Sequence, residues 1–150
     1  MSIFKQLLFK FMPSDKLAKK YPISIKGIVI VNDKIILLKN ERYEWELPGG
    51  KIEENETAES CVIREISEEL SIDATVNSIV DVWLYDILGK VKVLIVTFYC
   101  NKLFFDLNKI KISHEHKEVG MFNYDEISQL NMPQGYKDSI YKIQTKIQNG

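Results

Sequence analysis

We predict an α/β (α+β) fold in which a mixed β-sheet is sandwiched between α-helices. Three observations predict it. Two β-rich runs surround a tight turn near residue 32, a helix-periodic segment covers residues 57–70, and two longer β-rich runs precede a helical C-terminus. Because the strands outnumber the helices and alternate with them only in part, helices are expected to cover the faces of a mixed sheet.

Each predicted element has a local signal. In SIKGIVIVNDKIILLKN, the polar turn at 32–34 separates two β-rich runs and predicts a hairpin. The runs ATVNSIVDVWLYDI and VKVLIVTFYCNKLFF flank a turn at 88–90 and predict a second antiparallel pair. The apolar run VGMF, a small helix near 124–130 and a C-terminal helix from about Tyr136 complete the pattern.

Length and composition favour one domain. The chain has 150 residues, with 20 basic and 21 acidic side chains and a net charge of −1, so a basic surface for general nucleic-acid binding is not expected. The two cysteines, Cys61 and Cys100, are far apart and form no CxxC motif, which argues against a disulfide framework or a thiolate zinc site. A reducing, cytoplasmic setting is therefore predicted.

Residues 1–22 are predicted to form an N-terminal extension before a domain that covers residues 23–150. Its apolar residues recur at helical spacing and Pro13 closes the segment, which predicts an amphipathic helix; the apolar residues are Ile3, Phe4, Leu7, Leu8 and Phe11. Docking on the domain or on a second subunit is the first interpretation, and attachment to a membrane surface is the second. The segment is too short to span a bilayer, so stable membrane insertion is not expected.

Three glutamates crowd the C-terminal end of the central predicted helix. Glu65, Glu68 and Glu69 are three and four residues apart, so their carboxylates repel one another and also meet the negative end of the helix dipole, at about 0.3–1 kcal/mol for each acid. A divalent cation would reverse both effects. Oxygen ligands without thiolates favour Mg²⁺ or Mn²⁺, and Mg²⁺ commonly shares its shell with substrate phosphates. The alternative is a solvated acidic face.

The residues before this helix favour a site. Gly49 and Gly50 follow Pro48, so the backbone can turn tightly and approach a metal ion or a phosphate. Thr57 is the expected N-cap, although Ser60 stands where a capping box would have Glu or Gln. Arg64 lies beside the acidic stripe and could orient Glu65 or Glu56, or form a simple surface ion pair.

These residues together resemble the Nudix box. The matching positions are Gly50, Glu56, Arg64, Glu65, Ile66, Glu68, Glu69 and Ile72, and WELPGG precedes them as it commonly does in that family. The departure is Ser71, where the family pattern has glycine. A left-handed helix end would cost serine about 1 kcal/mol.

The resemblance implies a metal-dependent hydrolase with a strand, a loop and a helix as its catalytic unit. Glu65, Glu68 and Glu69 would be metal ligands, Gly49 would offer its carbonyl to the metal, and Arg64 would position Glu65 with help from Glu56. A box glutamate or a later acid would be the general base. Glu115 is the first candidate for that later acid and Glu118 the second, and His114 and His116 flank Glu115 as candidate metal or phosphate ligands.

The implied substrate is a nucleoside diphosphate linked to another group, including nucleoside triphosphates and nucleotide sugars. Gly50 and Glu118 are candidate substrate contacts, although Glu118 is more often a structural charge at a strand edge. Tyr43 and Trp45 could stack on a base, as could the later aromatic residues Phe122, Tyr124 and Tyr136. For each aromatic residue taken singly, packing in the core or at its rim is the favoured alternative. The first alternative is a nucleotide-binding or regulatory Nudix domain with little turnover. An RNA-end hydrolase is disfavoured by the near-neutral charge. A homodimer is expected to be possible because dimers are common among such proteins.

Overall fold

The computed structural model describes residues 20–104, 106, 108 and 118–150, and it confirms the mixed α+β fold. The predicted N-terminal helix lies outside the described residues. In the described part of the chain we number the strands β1–β7 and the helices α1–α3. Their bounds are β1 Ile23–Val31, β2 Lys34–Lys39, β3 Trp45–Glu46, β4 Gly49–Lys51, α1 Ala58–Leu70, β5 Asp73–Ile87, β6 Val91–Phe104, β7 Glu118–Phe122, α2 Tyr124–Ile127 and α3 Gln134–Gln148.

One mixed sheet joins all seven described strands. The main path has the order β3-β2-β1-β6-β5, while β4 pairs with β1 and β7 pairs with β2. Strand β1 runs parallel to β6 and antiparallel to β2 and β4, so both of its edges are paired, and its side chains enter the cores on both faces of the sheet. This central place explains why its sequence is a nearly continuous apolar run instead of an alternating one.

The two predicted hairpins are confirmed. Asn32 and Asp33 have φ angles of 51° and 61°, as a two-residue turn with the twist of the flanking strands requires. At the second hairpin Leu88 and Gly89 have φ angles of 55° and 69°, and β5 pairs with β6 along most of its length. The small helix is shorter than predicted, and the C-terminal helix begins at Gln134, two residues earlier.

The helices cover opposite faces of the sheet. Val62, Ile66 and Leu70 of α1 are fully buried on one face, as their spacing predicts, and Ile140 of α3 is fully buried on the other. Each such side chain contributes about 1.5–3 kcal/mol by its burial. Gly27 lets α1 approach β1 closely, since a Cβ there would lie 2.8 Å from the Cδ1 atom of Ile66.

Both cysteines are free and buried, which agrees with the absence of a disulfide framework. Burial raises the pKa of the Cys100 thiol to about 12. Within the described ranges, no helix combines the length and the hydropathy needed to cross a membrane.

Helix α1 begins with a capping box that uses serine. The Thr57 hydroxyl accepts a hydrogen bond from the Ser60 N–H at 3.1 Å, and the Ser60 hydroxyl accepts one from the Thr57 N–H at 2.9 Å. The expectation that this position needs Glu or Gln was therefore wrong, because the short serine side chain reaches the same donor.

The helix ends as the Nudix pattern predicts, in spite of the serine. Ser71 has φ 55° and ψ 37°, the left-handed conformation, and its N–H donates to the Ser67 carbonyl at 2.9 Å. Ser71 therefore adopts the left-handed conformation that usually requires glycine, at a cost in conformational energy.

Ser71→Gly is expected to stabilise the protein by about 0.5–1 kcal/mol, because glycine adopts the left-handed conformation without a Cβ clash. The measurement is urea unfolding followed by circular dichroism. Ser67→Gly, in the interior of the same helix, is the control and should cost about 1 kcal/mol instead. A loss of stability in Ser71→Gly would show that the serine side chain makes a compensating contact.

Candidate active site

Strand β4 and helix α1 bring the box residues together. Gly49 and Gly50 lie on β4 opposite Lys26 and Ile25 of β1. Gly49 has a φ angle of 139°, and a Cβ at this position would collide with the backbone oxygen of Ile25. The close pairing of β4 with the central strand therefore requires glycine here.

Arg64 is the centre of an ion-pair network. Its Nε and Nη2 atoms donate to the two carboxylate oxygens of Glu56 at 2.7 and 3.1 Å, a bidentate pair. Its Nη1 atom donates to Glu65 at 2.9 Å and to Glu68 at 3.2 Å, and Nη2 also reaches the Lys51 carbonyl at 3.4 Å. The guanidinium thus holds Glu65 from one side and is itself held by Glu56. The roles that the resemblance implies for these residues stay predictions.

Glu56 is the anchor of this network. Hydrogen bonds from the Arg64 side chain and from the Glu53 backbone N–H lower the pKa of Glu56 to about 2, from an ordinary value of 4.5. The carboxylate therefore stays charged across the working pH range, and it keeps Arg64 oriented.

The low pKa of Glu56 predicts how the stability of the fold changes at acidic pH. A folded-state pKa below the unfolded value stabilises the fold above about pH 4.5, and the contribution is lost as the pH falls towards 2. Glu56→Gln should therefore show a flatter fall of melting temperature between pH 4.5 and pH 2 than the wild type. Glu59→Gln, which changes an exposed acid in the first turn of α1, is the control. Parallel curves for wild type and Glu56→Gln would contradict the assignment.

Gly50 leaves room for the Glu65 carboxylate. A Cβ at Gly50 would lie 2.5 Å from Oε1 and 2.9 Å from Oε2 of Glu65, too close for either atom. Glu65 is thus held between the guanidinium of Arg64 and the bare backbone of β4. The position that was predicted as a substrate contact also determines where this carboxylate can lie.

The other two box glutamates differ in exposure. Glu69 is 4% exposed and accepts a hydrogen bond from the Gly49 N–H at 2.8 Å, whereas the Glu68 side chain is 59% exposed. The hydrogen bond from this buried backbone N–H offsets part of the cost of burying Glu69. The turn and the helix are therefore tied together through this acid.

The donor atoms suit a hard divalent cation, since they are carboxylate and carbonyl oxygens. Among the residues that the structure describes, however, no group of three or more His, Cys, Asp or Glu side chains is already arranged to hold a metal ion. Arg64 engages Glu65 and Glu68, and the Gly49 N–H engages Glu69, so protein donors hold the acids in this arrangement.

A cavity of about 540 Å³ opens beside the network. Gly50, Lys51, Glu53 and Glu65 line it on the side of the box. The remaining lining residues include apolar and aromatic side chains as well as further charged groups: Ile23, Ile87, Val93, Ile95, Tyr85, Tyr136, Lys26, Arg42 and Glu46. Its size suits a small organic ligand, and its wall combines charged side chains with apolar and aromatic ones.

Sequence reasoning missed Lys26, Arg42, Glu46 and Tyr85. A signal existed for Lys26, because it is a lone charge inside the apolar strand ISIKGIVIV. Its side chain is buried, and Nζ donates to the Gly49 carbonyl at 3.1 Å, the oxygen that the resemblance assigns to a metal. Tyr136 was considered as an aromatic residue, and it lies at the cavity wall.

Three other predicted residues lie elsewhere. Trp45 is 8% exposed and packs edge-on against Phe122 in the core, with ring centroids 4.7 Å apart, so burial in the core takes the place of the predicted stacking on a ligand. Tyr43 is an exposed residue of the loop before β3, with a φ angle of 60°. Glu118 begins β7 and pairs with Lys39 at 2.9 Å, which gives it a structural partner.

The remaining candidates, Glu115, His114 and His116, lie outside the described residues. Their roles stay predictions. The hydrogen bonds of Arg64 with Glu56 and Glu65 are made within the described residues.

Comparisons with known proteins identify the family of this chain. The NUDIX domain family model matches residues 21–143. An 8-oxo-dGTP diphosphatase of Proteus vulgaris is 48% identical over 42 residues, which are 28% of this chain and 38% of that protein. An ADP-ribose pyrophosphatase of Methanocaldococcus jannaschii is 28% identical over 117 residues, covering 65% of this chain and 69% of the relative. The chain spans about half or less of the length of the first curated relatives that it matches.

Solved structures show the same fold. A MutT protein of Methanosarcina mazei Go1 superposes with a TM-score of 0.73 at 24% identity, covering 85% of this chain and 96% of that one. At this level of sequence identity, the similarity shows the fold and nothing beyond it. The family match, over residues 21–143, covers most of the sequence. The chain therefore belongs to the Nudix family.

Proposed function

We propose that the chain is a divalent-metal-dependent pyrophosphohydrolase that cleaves a phosphoanhydride bond in a nucleoside diphosphate linked to another group. One observation carries the proposal. The network of Arg64, Glu56 and Glu65 borders a cavity of about 540 Å³ that is partly apolar and aromatic. The names of the relatives, an 8-oxo-dGTP diphosphatase and an ADP-ribose pyrophosphatase, support the same reaction class.

The cofactor that fits is Mg²⁺ or Mn²⁺, because Nudix proteins generally use a divalent metal and the ligands here are oxygens. Glu65, Glu68, Glu69 and the Gly49 carbonyl would hold it. When bound, such an ion lowers the pKa of a water molecule and neutralises charge that develops on phosphate oxygens. Binding would require Glu65 and Glu68 to be shared with, or released from, Arg64.

The chain supplies orientation and proton transfer. Arg64 positions Glu65 at the cavity wall, and Glu56 keeps Arg64 in place through two hydrogen bonds. Among the described acids, Glu65 is the best placed to accept the proton of the attacking water, since it borders the cavity directly. Glu115 is the alternative base from the later segment.

The cavity suggests how a substrate would lie. The diphosphate would lie near Glu65 and the metal, with Lys51 and Arg42 close enough to the cavity to balance phosphate charge. The nucleoside would occupy the part lined by Tyr85, Tyr136 and aliphatic side chains, where aromatic faces and apolar walls favour a flat ring. A nucleoside triphosphate or a nucleotide sugar satisfies both requirements.

The setting that we propose is cytoplasmic, because the two thiols are free and buried as in proteins of reducing compartments. No nucleic-acid partner is proposed, in line with the net charge of −1. Association into a homodimer stays a prediction, and sedimentation velocity would test it.

The decisive experiment is a hydrolysis screen with Mg²⁺ and with Mn²⁺. The substrates are nucleoside triphosphates including 8-oxo-dGTP, nucleotide sugars, ADP-ribose and dinucleoside polyphosphates, and products are separated by ion-exchange chromatography. We expect a nucleoside monophosphate among the products of at least one class, and no product without metal. Tight nucleotide binding without any turnover would instead identify a nucleotide-binding domain.

A further inference from the structure

Lys26 is a buried lysine that the proposed reaction does not yet use. It lies in the middle of β1, is 5% exposed, and its Nζ atom donates to the Gly49 carbonyl at 3.1 Å. A lysine is rarely buried to this extent unless its charge is balanced. The groups around its ammonium therefore decide what it does.

Acidic groups surround the Lys26 ammonium. Glu46 approaches it to 3.7 Å, and Glu65 and Glu69 lie close enough to interact with it. The side chain thus places its positive charge beside these carboxylates, at the wall of the cavity.

When metal is bound, the Lys26 ammonium and the metal ion would share the carbonyl oxygen of Gly49. The Gly49 carbonyl is the backbone atom expected to bind the metal, and Lys26 already donates to it. Any divalent ion bound to this carbonyl and to the nearby acids would feel repulsion from the ammonium. In the absence of metal, the same ammonium offsets the repulsion among the acids.

We propose that Lys26 is a positioning residue that holds the Gly49 carbonyl, balances the charge of Glu65 and Glu69 before metal binds, and thereby limits metal affinity. The inference rests on the proposed metal dependence and goes beyond it, since it assigns the strength of metal binding to a residue outside the box. The ammonium of Lys26 thus repels a metal ion at the Gly49 carbonyl, so the ion binds more weakly or the lysine moves away.

Lys26→Met tests the proposal directly. Removal of one positive charge beside a divalent site should tighten Mn²⁺ binding by about tenfold. The metal-free protein should melt at a lower temperature, because Glu46 loses its buried partner. Both quantities are measured without substrate, by calorimetric titration with Mn²⁺ and by thermal unfolding in a chelator.

Lys26→Gln separates charge from hydrogen bonding. Glutamine can still donate to the Gly49 carbonyl but carries no charge, so it should also tighten Mn²⁺ binding while it destabilises the metal-free protein less. It is also the milder change, and it is judged by the same criterion if Lys26→Met does not fold. Lys142→Met is the matched control, since Lys142 forms a surface ion pair with Asp81 at 2.7 Å and the net charge changes equally.

The outcomes are distinct. Tighter Mn²⁺ binding in the Lys26 variants and unchanged binding in Lys142→Met support the proposal. Unchanged or weaker binding in the folded Lys26 variants overturns it and leaves a purely structural role for Lys26. If the wild type binds no Mn²⁺ at millimolar concentrations, the proposed metal dependence itself fails, and the role of Lys26 fails with it.

Discussion

Glutamine in place of Glu69 is expected to lower the rate of hydrolysis by about 1,000-fold at saturating Mg²⁺, which corresponds to about 4 kcal/mol of lost transition-state stabilisation. The loss follows from removal of a charged ligand beside the transferred phosphate. The fold should survive, because the glutamine amide oxygen can still accept the hydrogen bond from the Gly49 N–H. Initial rates on the substrate found in the screen measure the effect.

Two comparisons make this result specific. Glu68→Gln changes an exposed acid of the same set and should also reduce turnover strongly, whereas Glu59→Gln, in the first turn of α1, should not. Mg²⁺ should raise the melting temperature of the wild type more than that of Glu69→Gln. Near-wild-type hydrolysis by Glu69→Gln would rule out Glu69 as a metal ligand.

Alanine in place of Gly49 is expected to destabilise the protein by about 3 kcal/mol, through backbone strain and overlap. The φ angle of Gly49 is 139°, and a Cβ would meet the backbone oxygen of Ile25, which cannot move without breaking the pairing of β4 with β1. For a domain of this size the melting temperature should fall by roughly 10 °C. Chemical unfolding with urea gives the free energy.

Gly89→Ala is the matched control. Gly89 also has a positive φ angle, 69°, but nothing lies within 4 Å of a Cβ built there. Its replacement should therefore cost about 1 kcal/mol, from the left-handed conformation alone. Equal losses in the two variants would show that the strain at Gly49 comes from its φ angle and not from contact with β1.

Local patterns were enough to predict much of the fold. The polar turn at 32–34 predicted the first hairpin, and the four-residue spacing of Val62, Ile66 and Leu70 predicted the buried face of α1. One local prediction, on the capping box of α1, was wrong because a shorter side chain can make the same hydrogen bond. Ser60 completed a capping box that was expected to need a longer side chain, since its hydroxyl lies within reach of the Thr57 N–H.

The sequence indicated the acidic residues of the site but not the other residues that line the cavity, among them Lys26, Arg42 and Tyr85. The spacing of Arg64, Glu65 and Glu56 belongs to one continuous segment, so its meaning can be deduced from the sequence. For Trp45 the sequence left two interpretations open, stacking on a base and packing in the core. Contact with Phe122 of β7, much later in the chain, places the side chain in the core.

The sequence by itself determined the family and the acidic helix, because each depends on residues a few positions apart. Only the tertiary structure decided that Ser71 adopts the left-handed conformation, that Lys26 meets the Gly49 carbonyl, that Glu69 is buried against Gly49, and that Tyr136 lines the cavity. Those contacts join β1, α1 and α3 across long stretches of chain. Pairing of β4 with β1 and packing of helices on both faces of the sheet create them, and no local pattern encodes that arrangement.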